Sequence, residues 1–336
     1  MKTIDSFLLH DLGKLFKTGE VGFVIDDIQA YNKALASVRI RCYDILTAME
    51  KAGVKVELYK PFKKYKAVIF TKTRTDASVR RAQKLKDTGT LVISDNFCEY
   101  LADEKRSDDW ERKNILKILG CSDVVITYSK EQYKQFSQYH DHVFFIQEGV
   151  NDSYFKVCKE HIEKPQITLI YSGFRSNALH TELIKGAILQ LQQEFKCKVL
   201  FICEGDPAIE SFSYEYIHYD QKKIVQDLLK GDIMIAPRPM EGIERQQHTL
   251  TKIASPMAIG LPVVASPVPA YIGTPAILCN NEMEWYEALR KLILDVNERQ
   301  KIGMESREYV KQHLATDVIA QEYLSVINLF REKMGI

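Results

Sequence analysis

Residues 232–271 read DIMIAPRPMEGIERQQHTLTKIASPMAIGLPVVASPVPAY. The apolar run DIMIA ends at a proline and reads as a buried strand. A long polar loop follows, then TKIASPMAIG, whose apolar spacing reads as a helix, then a second strand in PVVAS. Strand, loop, helix and strand in this order predict two parallel strands joined by a crossover.

The same alternation extends in both directions. Downstream, Asn281 with Glu284 and then Thr316 are expected to cap helices. Upstream, ITLIY (167–171) and KVLFIC (198–203) read as strands, separated by a helix whose apolar face holds Leu183, Ile184, Ala187, Ile188, Leu191 and Phe195. A further alternating run occupies the first half. Its strands are VGFVID (21–26), VKVELY, AVIFTK (67–72), TLVIS (90–94), DVVIT and HVFFIQ, and Val38, Cys42, Ile45, Leu46 and Met49 mark its first helix. Between the halves, EGVNDSYFKVCKEHIEKPQ lacks periodicity and reads as a linker. The expected class is α/β, with two Rossmann-like lobes of parallel sheet and a ligand cleft between them. The expected boundaries are 1–160 for an acceptor lobe, 161–315 for a donor lobe, and 316–336 for a last helix crossing back to the first lobe.

Composition agrees with a folded chain of 336 residues, 46% apolar and 27% charged. A net charge of +1 argues against a globally basic nucleic-acid binder. The first 19 residues are charged throughout and lack the apolar core of a secretion signal. No apolar run reaches the ~18 residues of a membrane span. Seven cysteines without a C-x-x-C predict reduced thiols in a cytoplasmic protein. Charge is uneven: residues 39–86 hold 14 basic and 4 acidic side chains. Such a surface attracts phosphates or an anionic membrane face, or is simply solvated.

Several chemistries are excluded. The sequence has no G-x-G-x-x-G, no Walker A motif, no H-E-x-x-H and no G-x-S-x-G. His140 and His142 have no third metal ligand near them, and no metal site is expected. Glu204 and Asp206 flank a glycine and read as turn chemistry.

The pieces Asp232-Ile233, Ala236-Pro237, Lys252, Met257-Ala258, Gly260–Ser266 and Pro269-Ala270-Tyr271 resemble the donor-binding region of family 4-type glycosyltransferases of the GT-B fold. Residues 37–58, the stretch from LGCSDVVITYS to NDSYF, and IYSGFRSN are similar to other parts of that fold, in order. The resemblance implies a nucleotide-sugar donor, retention of anomeric configuration, no metal or other cofactor, and a carbohydrate or lipid-linked glycan acceptor. It points to surface polysaccharide or glycoconjugate synthesis. The chain departs from the pattern where many members carry two glutamates eight positions apart, for it has Gln247 and Ser255. Arg175 lies two residues after Gly173 rather than one.

On this reading Lys252 binds the donor diphosphate and stabilises the leaving group. A lysine at a helix start opposes the helix dipole, and a bound anion relieves that conflict. Gly173 and Arg175 form the donor-lobe turn. Ser255 either caps a helix opened by Pro256 or bonds a ribose hydroxyl. Tyr271 lines the nucleobase or sugar pocket, or packs in the core. Arg238 and Glu241, in the polar loop, are candidates to reach the sugar or the acceptor. Arg39 and Arg41, in the first turn of a helix, meet a donor or acceptor phosphate, or pair with Asp26, Asp27 or Asp44. Asp95, at a strand end, orients the acceptor hydroxyl or acts as its base, or serves as a turn residue. KPFKKYK (60–66) touches anionic lipid or is a connecting loop. Two rival readings are a non-catalytic partner subunit of similar fold and a sugar-nucleotide epimerase.

Overall fold

Unbroken apolar runs form the strands. Ala67–Thr71 and Leu91–Asp95 are buried at every position, as are Val124–Thr127 and Ile233–Ala236. This is the signature of parallel strands covered on both faces. The computed structural model describes residues 20–26, 36–95, 109–241 and 249–336. Gln247, Asp27 and Cys98 lie outside them. The chain splits into two units, Met1–Gly149 with Ala315–Ile336, and Val150–Leu314.

The first unit is built on β1 (Glu20–Val24), β2 (Lys55–Leu58), β3 (Ala67–Thr71), β4 (Leu91–Asp95), β5 (Val124–Thr127) and β6 (Val143–Phe145). They form one parallel sheet in the order β2-β1-β3-β4-β5-β6. The helices are α1 (36–51), α2 (Asp76–Asp87), α3 (Trp110–Cys121) and α4 (Lys130–Phe136). Helix α1 contains a π-helical stretch, Arg39–Asp44. Helix α2 is capped by Thr75, which accepts from the Ser78 N–H at 3.2 Å. Asp26, at the end of β1, accepts from the N–H groups of Arg74 and Thr75 at 2.7 and 2.8 Å. In α4 the Ser129 hydroxyl accepts from the Gln132 N–H at 3.0 Å, and the Gln132 amide accepts from the Tyr128 N–H at 3.2 Å. This satisfies two end donors reciprocally. The last helix, Thr316–Met334, packs into this unit's core through Ile319, Ala320, Tyr323, Leu324, Ile327 and Phe330. Thr316 is its first residue and makes no cap; Ala315 precedes it.

The second unit carries β7 (Thr168–Ser172), β8 (Lys198–Cys203), β9 (Glu215–His218), β10 (Ile233–Ala236), β11 (Val263–Ala265) and β12 (Ile277–Leu278). They form a parallel sheet in the order β12-β11-β10-β7-β8-β9. Strands β9 and β12 are short edge strands that periodicity did not mark. Around the sheet lie α5 (Lys185–Phe195), α6 (Ile224–Leu228), α7 (Thr251–Ala258), α8 (Glu282–Leu294) and α9 (Val296–His313); the last helix of the chain is then α10. The stretch expected as a linker is packed into this unit. Lys159 N–H donates to Ile259 O at 2.7 Å, and Arg307 donates to the carbonyls of Phe155 and Val157, both at 2.6 Å. Lys159 and Lys164 pair with the buried Asp232 at 3.2 and 2.5 Å. These backbone groups find partners in structure, which polar composition alone does not reveal.

All described cysteines are free thiols, and only Cys158 is exposed. No described helix is long and apolar enough to cross a membrane.

Candidate functional site

The second sheet reverses its build direction between β7 and β10. From β7 the chain moves out to β8 and β9, then returns to β10 and moves out through β11 to β12. The loops after β7 and β10 therefore diverge, and open α/β sheets bind ligands at such a switch point, beyond the carboxyl ends of the strands. Lys252, in the first turn of α7, points its amine to this place. Its Nζ donates to the Ser172 carbonyl at 3.2 Å and stands 3.4 Å from the centroid of the Tyr171 ring. Gly173 makes this approach possible: a Cβ there would lie 3.0 Å from Lys252 Nζ and 3.1 Å from the Tyr171 hydroxyl.

Arg238, just past β10, is the second cation. Its backbone N–H donates to the Ser266 hydroxyl at 2.8 Å, which fixes the loop, and its side chain is 8% exposed. Burial holds the Lys252 amine well below the ordinary lysine range, and the Arg238 charge pushes the same way; Cys203 opposes them. Among the described residues no carboxylate forms an ion pair with Lys252 or Arg238. Two phenols complete the cluster. Tyr171, on β7, and Tyr271, in the turn Pro269–Tyr271 after β11, are fully buried. Burial raises both above the ordinary tyrosine range, and Arg238 counteracts it in both. The Tyr171 hydroxyl has no hydrogen-bond partner, while the Tyr271 hydroxyl and the Arg238 side chain bond each other in imperfect geometry. Two cations and two phenols, with no carboxylate in an ion pair with either cation among the described residues, form a site that a bound anion would complete, because buried charge is costly unless paired.

Other expected residues are placed differently. Arg175 is exposed; its N–H donates to both Glu204 carboxylate oxygens at 3.0 Å, and its Cδ would lie 3.3 Å from a Cβ on Gly205. Its charge also lowers the Asp206 carboxyl, after the hydrogen bonds from Tyr214 and the Ala208 N–H. Arg175 therefore sits among the carboxylates of the neighbouring turn. Ser255 is inside α7 and not its cap. The helix starts at Thr251, the Ala254 N–H already bonds Leu250 O at 2.8 Å, and Pro256 falls inside. Lacking an N–H, Pro256 leaves the Lys252 carbonyl without its usual helical partner. Glu241 is exposed and directly precedes residues outside the description.

A second polar cluster lies in the first unit. Asp95, ending β4, is 1% exposed, as is Arg41. Arg41 Nε donates to Asp95 Oδ1 at 2.8 Å, its Nη2 lies 2.7 Å from the same oxygen, and its Nη1 donates to Ile146 O at 3.2 Å. The Tyr323 hydroxyl, from α10, donates to Asp95 Oδ2 at 2.7 Å. Burial alone would weaken the Arg41 charge, but Asp95, Tyr323 and Glu148 more than offset this and raise its pKa. Both carboxylate oxygens are therefore occupied. The π-helical turn brings Arg41 inward, where helical spacing places it off the apolar face. Of the acids weighed as its partner, Asp26 instead binds the start of α2. Arg39 is half-buried. In the 60–66 segment, Lys60 and Lys63 both reach Glu57 at 2.6 Å and hold its carboxyl down to about 2. Phe62 is fully exposed.

Sequence reasoning missed Tyr171, read as strand core, and Tyr323, whose partner is 228 residues away. The available signal for Tyr171 was its place at a strand end before a glycine turn. Among the described residues no group of three His, Cys, Asp or Glu side chains could hold a metal ion. A shallow depression of about 440 Å³ beside β2, lined by Glu50, Lys55, Glu57 and Lys63 among others, includes none of the residues of either cluster.

No protein-family model and no curated protein sequence matches the chain. Solved structures do. Sucrose-phosphate synthase from Thermosynechococcus elongatus is similar over 95% of this chain and 97% of its own, at 14% identity and a TM-score of 0.60. HepE from Anabaena, in complex with UDP and glucose, is similar over 92% of this chain and 99% of its own, at 12% identity and a TM-score of 0.62. An alpha-glucosyltransferase in complex with UDP and a mismatched 13-mer DNA covers 92% of this chain and 99% of its own, at 11% identity and a TM-score of 0.63. With its two six-stranded parallel sheets and this likeness along nearly the whole chain, the protein has the GT-B fold.

Proposed function

We propose that the protein is a glycosyltransferase whose second unit binds a nucleotide-sugar donor. The observation that carries this reading is the Lys252–Arg238 pair, buried at the β7/β10 switch point with no carboxylate paired to it among the described residues. A donor diphosphate supplies the missing negative charge, and its charge grows as the bond to the sugar breaks. Cations already positioned and partly desolvated stabilise that developing charge. In the transfer the anomeric carbon–oxygen bond breaks toward the diphosphate, and the acceptor hydroxyl bonds to that carbon and gives up its proton. The UDP bound by two of the similar structures supports a uridine nucleotide as the first donor to test.

We infer further, from the resemblance of residues 232–271, a hexosyl transfer with retention and no requirement for a metal ion. The same resemblance supports a carbohydrate or lipid-linked glycan acceptor on the first unit. It also supports a role in surface polysaccharide synthesis at the cytoplasmic face of a membrane, approached through the basic segment 39–86. Asp95 serves in this account as a positioning residue, since its two oxygens are held by Arg41 and Tyr323.

Calorimetric titration with UDP, GDP and dTDP and their sugar forms, with and without a chelator, tests the donor site. Chelator-insensitive binding of one nucleotide, with product formed on adding acceptor glycans, supports it. Binding of none contradicts it. The buried state of Asp95 and the serine at position 255 favour one second reading, a non-catalytic partner subunit. It is the better account if no nucleotide binds and another chain copurifies.

A further inference from the structure

The connection from β2 to β3 is built unlike the others in its sheet. β1 lies between these strands and all three run parallel, so residues 59–66 must carry the chain back across the sheet. Such a crossover is usually a helix, and α1 to α4 serve the other connections, but none is present here. Two tyrosines cover the sheet instead. The Tyr65 ring lies on Gly22 of β1, where a Cβ would come within 3.1 Å of it, and the Tyr59 ring packs beside it with centroids 5.3 Å apart. The Tyr65 hydroxyl accepts from the Lys60 N–H at 2.9 Å and donates to Glu57 at 3.1 Å.

This anchored base carries a rigid tip. The Lys63 N–H donates to Lys60 O at 3.1 Å and closes a turn with Pro61 at its second position, where the fixed φ of proline fits. Phe62 is the apex. It is fully exposed, while the next most exposed large apolar side chains among the described residues, Ile272 and Phe174, are 67% and 66% exposed. A lone exposed apolar residue needs no explanation. This one stands on a fixed tip inside a field of one sign. Residues 55–66 hold five lysines against one acid, Glu57, which Lys60 and Lys63 share. Lys55 and Lys64 are exposed. On α2, Arg81 lies 5.1 Å from the centroid of the Tyr59 ring, and the exposed Lys84 follows one turn later.

An apolar apex within a basic field matches a surface that is anionic outside and apolar beneath, which is an anionic lipid bilayer. The depression beside β2 is lined by Glu50 and Glu57 as well as Lys55 and Lys63, so it suits no single anionic headgroup. Single-stranded nucleic acid fits less well. It binds grooves lined by successive aromatic rings, whereas here one ring stands on a tip and Tyr59 and Tyr65 pack on the sheet.

We propose that the Lys60–Lys64 turn docks the protein on an anionic bilayer, with Phe62 entering the interfacial layer and Lys55, Lys60, Lys63 and Lys64 lying over the headgroups. This rests on the membrane approach given above, not on the donor site, and narrows it from a long basic segment to one turn.

The test is sedimentation of the full chain with vesicles of phosphatidylcholine alone, or with one third phosphatidylglycerol or phosphatidylserine, at low and high salt. Binding is expected to both anionic mixtures equally, to be absent from phosphatidylcholine, and to weaken with salt. Phe62→Ser is expected to bind about tenfold more weakly at either salt concentration, the scale of one partly buried aromatic side chain. Lys64→Ser is expected to bind about fivefold more weakly at low salt, with the difference fading at high salt. Both positions are exposed, so thermal midpoints should match the parent's. In Phe62→Trp the added indole should shift its emission to the blue on anionic vesicles, compared with the parent. If the parent binds vesicles and Phe62→Ser binds equally well, the turn is overturned and the wider basic segment stands. If Phe62→Ser instead weakens binding to a single-stranded oligonucleotide and not to vesicles, a nucleic acid is the partner and the proposal is overturned. If the parent binds no vesicle, the turn and the membrane approach both fall, and nucleotide titration of the donor site is unaffected.

Discussion

The two units carry polar clusters of opposite character at the carboxyl ends of similar parallel sheets. In the first, Arg41 and Asp95 are both about 1% exposed and answer each other, with Tyr323 and the Ile146 carbonyl taking the remaining positions. In the second, Lys252 and Arg238 lie beside two buried phenols, one of them bonded only to Arg238, and among the described residues no carboxylate pairs with either cation. Burial and residue type are much alike in the two places. What differs is whether the charges close among themselves. A closed cluster belongs to the fold, and an open one belongs to the fold plus a ligand. That distinction assigns roles that residue identity alone does not.

The comparison breaks most visibly at the closed cluster. Arg41→Met leaves Asp95 buried and unpaired and is expected to lower stability by about 3–5 kcal/mol in urea titrations. The double variant Arg41→Met with Asp95→Leu should recover most of that loss, because no lone charge remains. A small effect of the single change would mean that the pair is not closed in solution.

Next in size is Lys252→Met. The expected cost is about 1.5–3 kcal/mol of ligand affinity, with ligand-free stability unchanged or improved. Donor affinity should also fall as pH rises, and at a lower pH than an ordinary lysine titrates, since burial holds this amine low. A rate and affinity profile across pH for the parent and the variant checks both points, and the variant should lose the dependence.

Smaller still is Tyr323→Phe, which removes a donor from Asp95 Oδ2 and should cost about 1.5 kcal/mol of stability with no change in nucleotide affinity. The smallest effect concerns Glu322 on α10. Burial raises its carboxyl to about 7, against a weaker downward pull from Arg41. The folded state then holds a proton that the unfolded state releases near the ordinary glutamate value. This group's contribution to stability declines as pH rises from about 4.5 to 7 and stays low above it. Glu322→Gln should match the parent at pH 4 and exceed it by about 1 kcal/mol at pH 8, after allowance for partial exposure.

The architecture was legible because parallel strands write themselves as apolar runs. DIMIA, AVIFT and KVLFIC needed no context, and the capping residues Ser129 and Asn281 marked helix starts by local chemistry alone. Lys252 was legible for a similar reason, as a cation where a helix begins. The rest depended on geometry that spacing does not encode. A π-helical turn brings Arg41 inward, and nothing in 39–44 announces it. Pro256 suggested a helix start, yet the turn before it was already closed from Leu250. Tyr323 reaches Asp95 across most of the chain, and Arg175 is held by a glutamate on the next strand's loop. Each of these contacts joins residues that only the fold makes neighbours.

The most direct test of the open cluster is a calorimetric titration of UDP, in the presence of a chelator, into the parent protein and Lys252→Met, with the thermal midpoint of each ligand-free chain. The account predicts binding by the parent, at least tenfold weaker binding by the variant, and a midpoint for the variant no lower than the parent's. Equal affinity in the two, or a variant that loses stability while the parent binds nothing, would contradict it.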